Sequence, residues 1–362
     1  MQRTVAVLID CVDHLSRGYE SELRKAFDAA CHALDLNLLL ICGRPLEHPD
    51  PWSAAHNFVY EIASPDSVDG VVLFTPGLAS HAGLPAVRRW AERHRGLPMC
   101  SLGLAIDGLP SVTVDERSGM EALVEHIVGV HGCQSVAYIG GPEADPHAQL
   151  RFALFREAML RHGEGPNPEL VRHTEFDTAK GGEAVEELVR GGTPFDAVLT
   201  TNDRLGIGAI DALREQGLRV PLNVVVTGFD DLAISRVGDP PLTTVRQPLR
   251  DMAGAALASV LGQIESRTIP ARTILPTELM LRESCGCGFQ AQRATSLPPR
   301  AVSSRSVDVV QANSKRLRRL LEMNLRGALG MSSERAKLVL SSLQAELSGE
   351  RYAFLAGLEN LQ

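Results

Sequence analysis

Aromatic side chains are scarce, at 4% of 362 residues with two tryptophans and four tyrosines. Few rings are on hand to wall a pocket by stacking. Long apolar runs are missing too, and none approaches the ~18 residues that a membrane span needs. The opening Met1-Gln-Arg-Thr-Val-Ala-Val-Leu-Ile-Asp10 holds only a short apolar run before a carboxylate. It reads as a first strand, not a signal peptide. The seven cysteines are scattered and odd in number, which fits a reducing cytosol better than a disulfide framework. Cys285-Gly-Cys287 is the only close pair and reads as incidental, because zinc sites usually need two such pairs. No metal and no cofactor is expected.

Catalytic signatures are absent as well: no Walker loop, no His-Glu-x-x-His and no Gly-x-Ser-x-Gly elbow. Gly206-Ile-Gly208 is a fragment of a dinucleotide fingerprint, but it falls inside a helix and lacks the third glycine. Packing explains it better, and the chain is not expected to be an enzyme. Basic charge is short where a nucleic acid would need it. Residues 1–288 carry 25 Lys and Arg against 38 Asp and Glu, a net −13, whereas residues 289–362 carry 11 against 6, a net +5. So acidic a core repels a phosphate backbone, so no direct binding of DNA is expected.

What is present is ordinary for a globular protein, 44% hydrophobic and 22% charged, and long enough for two or three compact units. Strands and helices alternate at βαβ spacing. Val5 to Ile9, Leu36 to Ile41, Asp69 to Thr75, Pro98 to Leu102 and Ser111 to Asp115 read as strands, with helices at Gly18 to Leu34, Ala54 to Ala63 and Pro85 to Arg95 between them. The pattern then repeats: helix to about Val130, strand Ser135 to Ile139, helix Ala148 to His162, a weak strand near Val171 and helix Lys180 to Arg190. Two strand-to-turn units follow, Asp196 to Asp203 and Val224 to Asp231, joined by a helix that Asn202 or Asp203 can cap and Gly217 can stop. A strand-helix-strand order implies a parallel pair with a right-handed crossover, which brings both acidic ends to one sheet edge. The fold class is α/β, with two doubly wound parallel sheets.

Beyond Gly288 the composition shifts. Gln290 to Arg305, rich in Ser, Pro and Arg, reads as a linker. Val309, Leu317, Leu320, Leu321, Leu325 and Leu329 then recur at near-helical spacing, with a further helix after Ser332. Lys315-Arg-Leu-Arg-Arg319 reads as a solvated helix face.

Thr201-Asn-Asp203, Gly228-Phe-Asp-Asp231, Leu242-Thr-Thr-Val-Arg-Gln-Pro248 and Leu279-Met-Leu-Arg-Glu-Ser-Cys-Gly286, in this order and spacing, resemble the effector-binding core of the lactose-repressor/galactose-repressor (LacI/GalR) family. The resemblance runs from about Thr4 to Gly286. It implies a periplasmic-binding-protein-like fold, two lobes joined by a three-strand hinge with crossings near Asp115, Gln247 and Pro276. The first lobe would take residues 1–115 with 248–276 and the second 116–247 with 277–288. A linker (289–305) and a C-terminal helical extension (306–362) would follow. The resemblance also places Arg151, Asn202, Asp230 and Gln247 on one side of a ligand cleft and Tyr19, Glu20 and Ser21 on the other. Arg, Asn, Asp and Gln suit adjacent hydroxyls, which they pair two at a time. The expected partner is a small polar ligand, a sugar, polyol or nucleoside. Groups reserved for a ligand would lie outside the packing of the free protein.

The departures are informative. Leu199 and Leu249 stand where relatives often carry aromatics, which points to a smaller or more flexible ligand, or to none. The family's DNA-binding headpiece and hinge helix have no counterpart before the strand at Thr4. The expectation is a cytoplasmic, homodimeric ligand-sensing domain, with an output domain or partner protein at the C-terminal helices. The alternative is a transcription regulator whose DNA-binding part lies on another chain or on missing sequence.

Overall fold

Twelve short strands among the described residues sort into two six-stranded sheets. The computed structural model describes residues 2–10, 18–163 and 165–287, all within the first of two units, Met1–Arg293. The expected linker and helical extension lie outside the described residues. The first sheet holds β1 (Thr4–Ile9), β2 (Asn37–Cys42), β3 (Gly70–Phe74), β4 (Met99–Leu102) and β5 (Ser111–Val114). The second holds β6 (Val136–Gly140), β7 (Val171–His173), β8 (Ala197–Thr200), β9 (Val225–Asp230) and β10 (Thr243–Arg246). Two late strands, β11 (Arg272–Leu275) and β12 (Glu278–Met280), are shared out, one to each sheet.

The strand orders are β11-β5-β4-β3-β1-β2 and β12-β10-β9-β8-β6-β7. All neighbours run parallel except β10 and β12. Such sheets are covered by helices on both faces, so their strands are apolar throughout. β3 and β9 are buried at every position. Each sheet has a hydrophobic cluster on either face, and the Leu249–Ile264 helix packs Met252, Ala256, Leu257 and Val260 against Val5, Val7 and Val72 of the first. The chain therefore passes between the sheets three times, after β5, after β10 and between β11 and β12.

Local sequence accounts for most boundaries. Asp50, Asp115, Asp145, Asp177 and Asn202 each cap a helix through a side-chain oxygen that accepts a backbone N–H, which satisfies an otherwise orphaned donor. The expected helix over Ala54 to Ala63 is instead an α-turn, Pro51–His56, followed by a 3₁₀ segment, Asn57–Ile62. Here the side chain of Asn57 turns back, accepting from Arg44 N and donating to Pro45 O. The helix expected to reach Val130 runs as α over Glu116–Val124 and then widens into a π-turn, Glu125–Val130. Gly208 is a packing residue: a Cβ there would lie 1.8 Å from the Thr178 carbonyl oxygen, so only glycine lets the Asp203–Glu215 and Thr178–Gly191 helices meet this closely.

Candidate functional site

Both sheets reverse strand order beside their first strand, and open α/β sheets bind ligands at such a point, beyond the carboxyl ends of the strands. Asp10 follows β1, Thr201 and Asn202 follow β8, Asp230 ends β9 and Gln247 follows β10. The Pro146–Arg161 helix, which follows β6, carries His147 and Arg151 into the same region.

Arg151 is the hub. The residue is only 6% exposed; Nε and Nη2 meet Glu116 Oε1 at 3.0 and 2.9 Å, Nη1 donates to Thr201 O at 2.5 Å and lies 3.5 Å from Asp230 Oδ1. The plane sits 3.9 Å from the Phe229 ring centroid, a cation–π contact. Glu116 also faces His147 Nδ1 at 2.9 Å. Burial alone would push Glu116 up, yet His147 and Arg151 hold its carboxyl down at about 2. Asp230 shows the opposite balance. Burial lifts it to about 6, and the more distant Arg151 and the Gln247 amide only partly offset that. One arginine serves two buried carboxylates, and the nearer takes most of its charge.

The remaining bonds lead from Asp230 through Gln247 to the first lobe. Gln247 Nε2 donates to Asp230 Oδ1 at 2.7 Å, and Tyr19 Oη, from the first lobe, donates to Gln247 Oε1 at 3.2 Å. Tyr19 stacks on Phe74 with ring centroids 5.9 Å apart. Glu20 acts on both Asp230 and Asp10, and desolvation together with the negative charge of Glu20 raises the half-buried Asp10 to about 7. A Cβ at Gly77 would lie 1.8 Å from Asp10 Oδ1, so that glycine makes room for the carboxyl. Two buried polar atoms here have no hydrogen-bond partner among the described residues: Glu116 Oε2 and Tyr138 Oη. Tyr138 lies within electrostatic reach of both Arg151 and Glu116. A separate hollow of about 490 Å³ on the first lobe, lined by Leu46, Tyr60, Trp90 and Arg93 among others, shares no residue with this cluster.

Of the residues singled out in the sequence, Tyr19, Gln247, Asp230 and Arg151 form one continuous chain of contacts, with Glu20 beside it. Asn202 caps the Asp203–Glu215 helix, its Oδ1 accepting from Leu205 N at 2.9 Å. Ser21 is buried on the first turn of the Tyr19–Ala33 helix and takes no part in the chain. Arg151 is not held in reserve as expected but is already bonded on most sides. Leu199 belongs to the core with Tyr138 and Phe155, and the aromatic surfaces near the cluster come from Tyr19, Phe74 and Phe229. Sequence reading passed over Asp10, Glu116, His147 and Tyr138. For Glu116 the available signal was its place directly after a capping aspartate at a strand end. Asp231, next to Asp230, is structural: burial would raise it, but Arg246, Arg282 and Arg236 surround it and hold it low.

Residues 124–285 match the family model described as a periplasmic binding protein-like domain. The HTH-type transcriptional regulator CelR of Thermobifida fusca is 32% identical over 228 residues, 60% of this chain and 63% of that one. In structure, the CelR–cellobiose complex aligns with TM-score 0.67 at 26% identity, covering 78% of this chain and 85% of the other. An HTH-type regulator encoded 5′ of aml in Streptomyces limosus is 31% identical over 65% of this chain and 67% of its own length. The operator-bound lac repressor dimer shares the fold, with TM-score 0.66 at 22% identity over 78% of this chain and 94% of that one. The chain belongs to the lactose-repressor/galactose-repressor family, of which it carries the effector-binding core.

Proposed function

We propose that this chain is a ligand sensor. The polar cluster where its lobes meet takes a small hydroxylated molecule, a sugar, polyol or nucleoside, and closure on that ligand is passed to an output through the C-terminal helices. The observation that carries this reading is the pair of buried, unpartnered atoms, Glu116 Oε2 and Tyr138 Oη, beside an Asp230 whose charge is only half compensated. A buried polar atom left alone costs about 1–3 kcal/mol. A ligand hydroxyl can both donate to a carboxylate and accept from a phenol, so one class of molecule relieves both. Arg151, Asp230, Asn202 and Gln247 would face it from the second lobe and Tyr19, Glu20 and Ser21 from the first. The relative solved with cellobiose supports a sugar-class ligand.

The ligand shifts the lobes only by its differential affinity for closed over open, and the Tyr19–Gln247 bond is a contact that such a motion makes or breaks. A cytoplasmic, non-catalytic homodimer is the matching assembly, supported by the dimeric lac repressor. Thermal-shift screening of sugars, polyols and nucleosides on the full chain tests the proposal. A ligand at 100-fold its dissociation constant stabilises by about 2.7 kcal/mol, and a library in which no member raises the melting temperature refutes it. The relatives' names favour a second reading, a transcription regulator whose DNA-contacting part lies on another chain or on sequence outside this one. With residues 1–288 at a net −13, selection of random duplexes by this chain alone should return no motif. An enriched palindrome would contradict both readings, because this chain would then itself carry the DNA contact.

A further inference from the structure

At the opposite end of the helical segment that begins with Glu116, four metal-ligating side chains converge. His126, His131, Cys285 and Cys287 each offer one ligand atom, and these atoms all lie within 4.8 Å of one another. His126 Nε2 is 3.3 Å from Cys285 Sγ, 3.5 Å from Cys287 Sγ and 3.1 Å from His131 Nε2. His131 Nε2 is 3.4 Å from Cys287 Sγ. A tetrahedral zinc ion with Zn–N near 2.0–2.1 Å and Zn–S near 2.3 Å would set N···N edges of about 3.3 Å and N···S edges of about 3.5 Å. The measured edges match these to within about a quarter of an ångström. We propose that His126, His131, Cys285 and Cys287 form a structural zinc site.

Two backbone departures build this arrangement. On an α-helix, residues five apart point to different faces, so His126 and His131 would diverge. The π-turn Glu125–Val130 removes that offset, and His131 N bonds back to His126 O at 3.1 Å, an i to i+5 link. Single π-turns cluster at functional sites. The cysteines are one residue apart, with Gly286 between them at φ +96°; this left-handed turn brings both sulfurs to one side. Hydrogen bonding does not account for the cluster well. Two imidazole nitrogens and two thiols supply weak donors, while a divalent cation satisfies two thiolates and two neutral imidazoles at once. The shell beyond is present for Cys285, whose sulfur lies 3.1 Å from Thr243 Oγ1 and 3.2 Å from Arg282 O. Such partners orient first ligands. The site would tie the end of the Glu116–Val130 helical segment to the last described residues, some 155 to 160 positions later. The sequence offered one close cysteine pair; the second pair is histidine, and only the fold brings it near.

The full chain, purified under reducing conditions without added metal, should hold about one equivalent of zinc by elemental analysis. Chelation should lower its melting temperature, and cobalt should replace zinc with the intense absorption of a four-coordinate, thiolate-bound ion. Cys285 and His126 are buried, so their loss could unfold the lobe. The deciding variants are therefore Cys287→Ser and His131→Gln, at half-buried and exposed positions. Both should keep the parent's circular dichroism, lose at least tenfold in zinc affinity and become insensitive to chelator. Less than a tenth of an equivalent of zinc after supplying the metal, or a weak six-coordinate cobalt spectrum, would overturn the proposal. So would parent-like affinity in both variants, or a Cys285–Cys287 disulfide that persists in reductant.

Discussion

Replacing Arg151 by methionine keeps most of the side-chain volume and removes the charge that holds the cluster together. Two nitrogens leave Glu116, one leaves the Thr201 carbonyl, and the 3.5 Å pairing with Asp230 is lost. Both ionic partners, Glu116 and Asp230, are under a tenth exposed, so water does not replace the lost bonds. Removing one member of a buried ion pair costs about 3–5 kcal/mol, because its partner stays buried and uncompensated. Against a total stability of about 5–15 kcal/mol, that is a large fraction. At about 2–4 °C per kcal/mol for domains of 150–250 residues, Arg151→Met should melt roughly 6–20 °C below the parent. Glu116→Gln neutralises the worse-placed orphan. The double variant should therefore be more stable than the sum of the single changes implies, by about 0.5–3 kcal/mol. Urea or thermal unfolding of the four proteins closes the cycle. A loss under about 1 kcal/mol for Arg151→Met, or strict additivity, would refute the claim that this arginine is a structural hub.

Titration of the same cluster gives a second expectation. Asp230, raised to about 6, contributes stability that is present below about pH 4 and lost as pH rises through about 6, on the order of 3 kcal/mol. Glu116, held at about 2, contributes stability present above about pH 4.5 and lost as pH falls through about 2. Melting temperature should thus decline between pH 5 and 7, and Asp230→Asn should flatten part of that decline; an unchanged slope would remove Asp230 from the account. Packing predicts opposite signs for two glycines. Gly208→Ala meets the Thr178 carbonyl and should cost about 1–3 kcal/mol, whereas Gly254→Ala, with nothing within 4 Å, should gain about 0.5–1 kcal/mol; equal shifts in chemical denaturation would contradict it. Light scattering of the full chain at tens of micromolar should report a dimer, and a monomer there would exclude the proposed assembly.

Both sheets were legible because parallel strands buried on both faces read as short apolar runs, and each run ends at Gly, Pro, Asn or Asp. β7, with three residues and no buried position, gave only a weak signal. β11 and β12 are short, half-exposed edge strands, and their division between the sheets depends on where the hinge crosses. At the site, the strand-helix-strand order brings the acidic end of β9, with Asp230, to a sheet edge, whereas Gln247 is placed only by the family resemblance. Arg151's real partner could not be placed. Glu116 lies 35 residues away on a different helix, and no local pattern links the two. The π-turn after Val124 is likewise silent in sequence, since Glu125 to Val130 carries a normal helical pattern. Its effect, two histidines on one side, exists only in three dimensions.

Calorimetric titration of any screening hit into the parent chain and into Asp230→Asn tests the central claim most directly. The substitution is nearly isosteric and leaves Arg151 paired with Glu116, so the fold should survive. A charge-assisted bond from a ligand hydroxyl to Asp230 is worth on the order of 1.5–3 kcal/mol. The dissociation constant should therefore rise about tenfold or more in the variant, while Ser64→Ala, a half-buried first-lobe hydroxyl outside the cluster, leaves it unchanged. Equal affinity in parent and Asp230→Asn would place the ligand elsewhere and contradict the assignment of this cluster as the binding site.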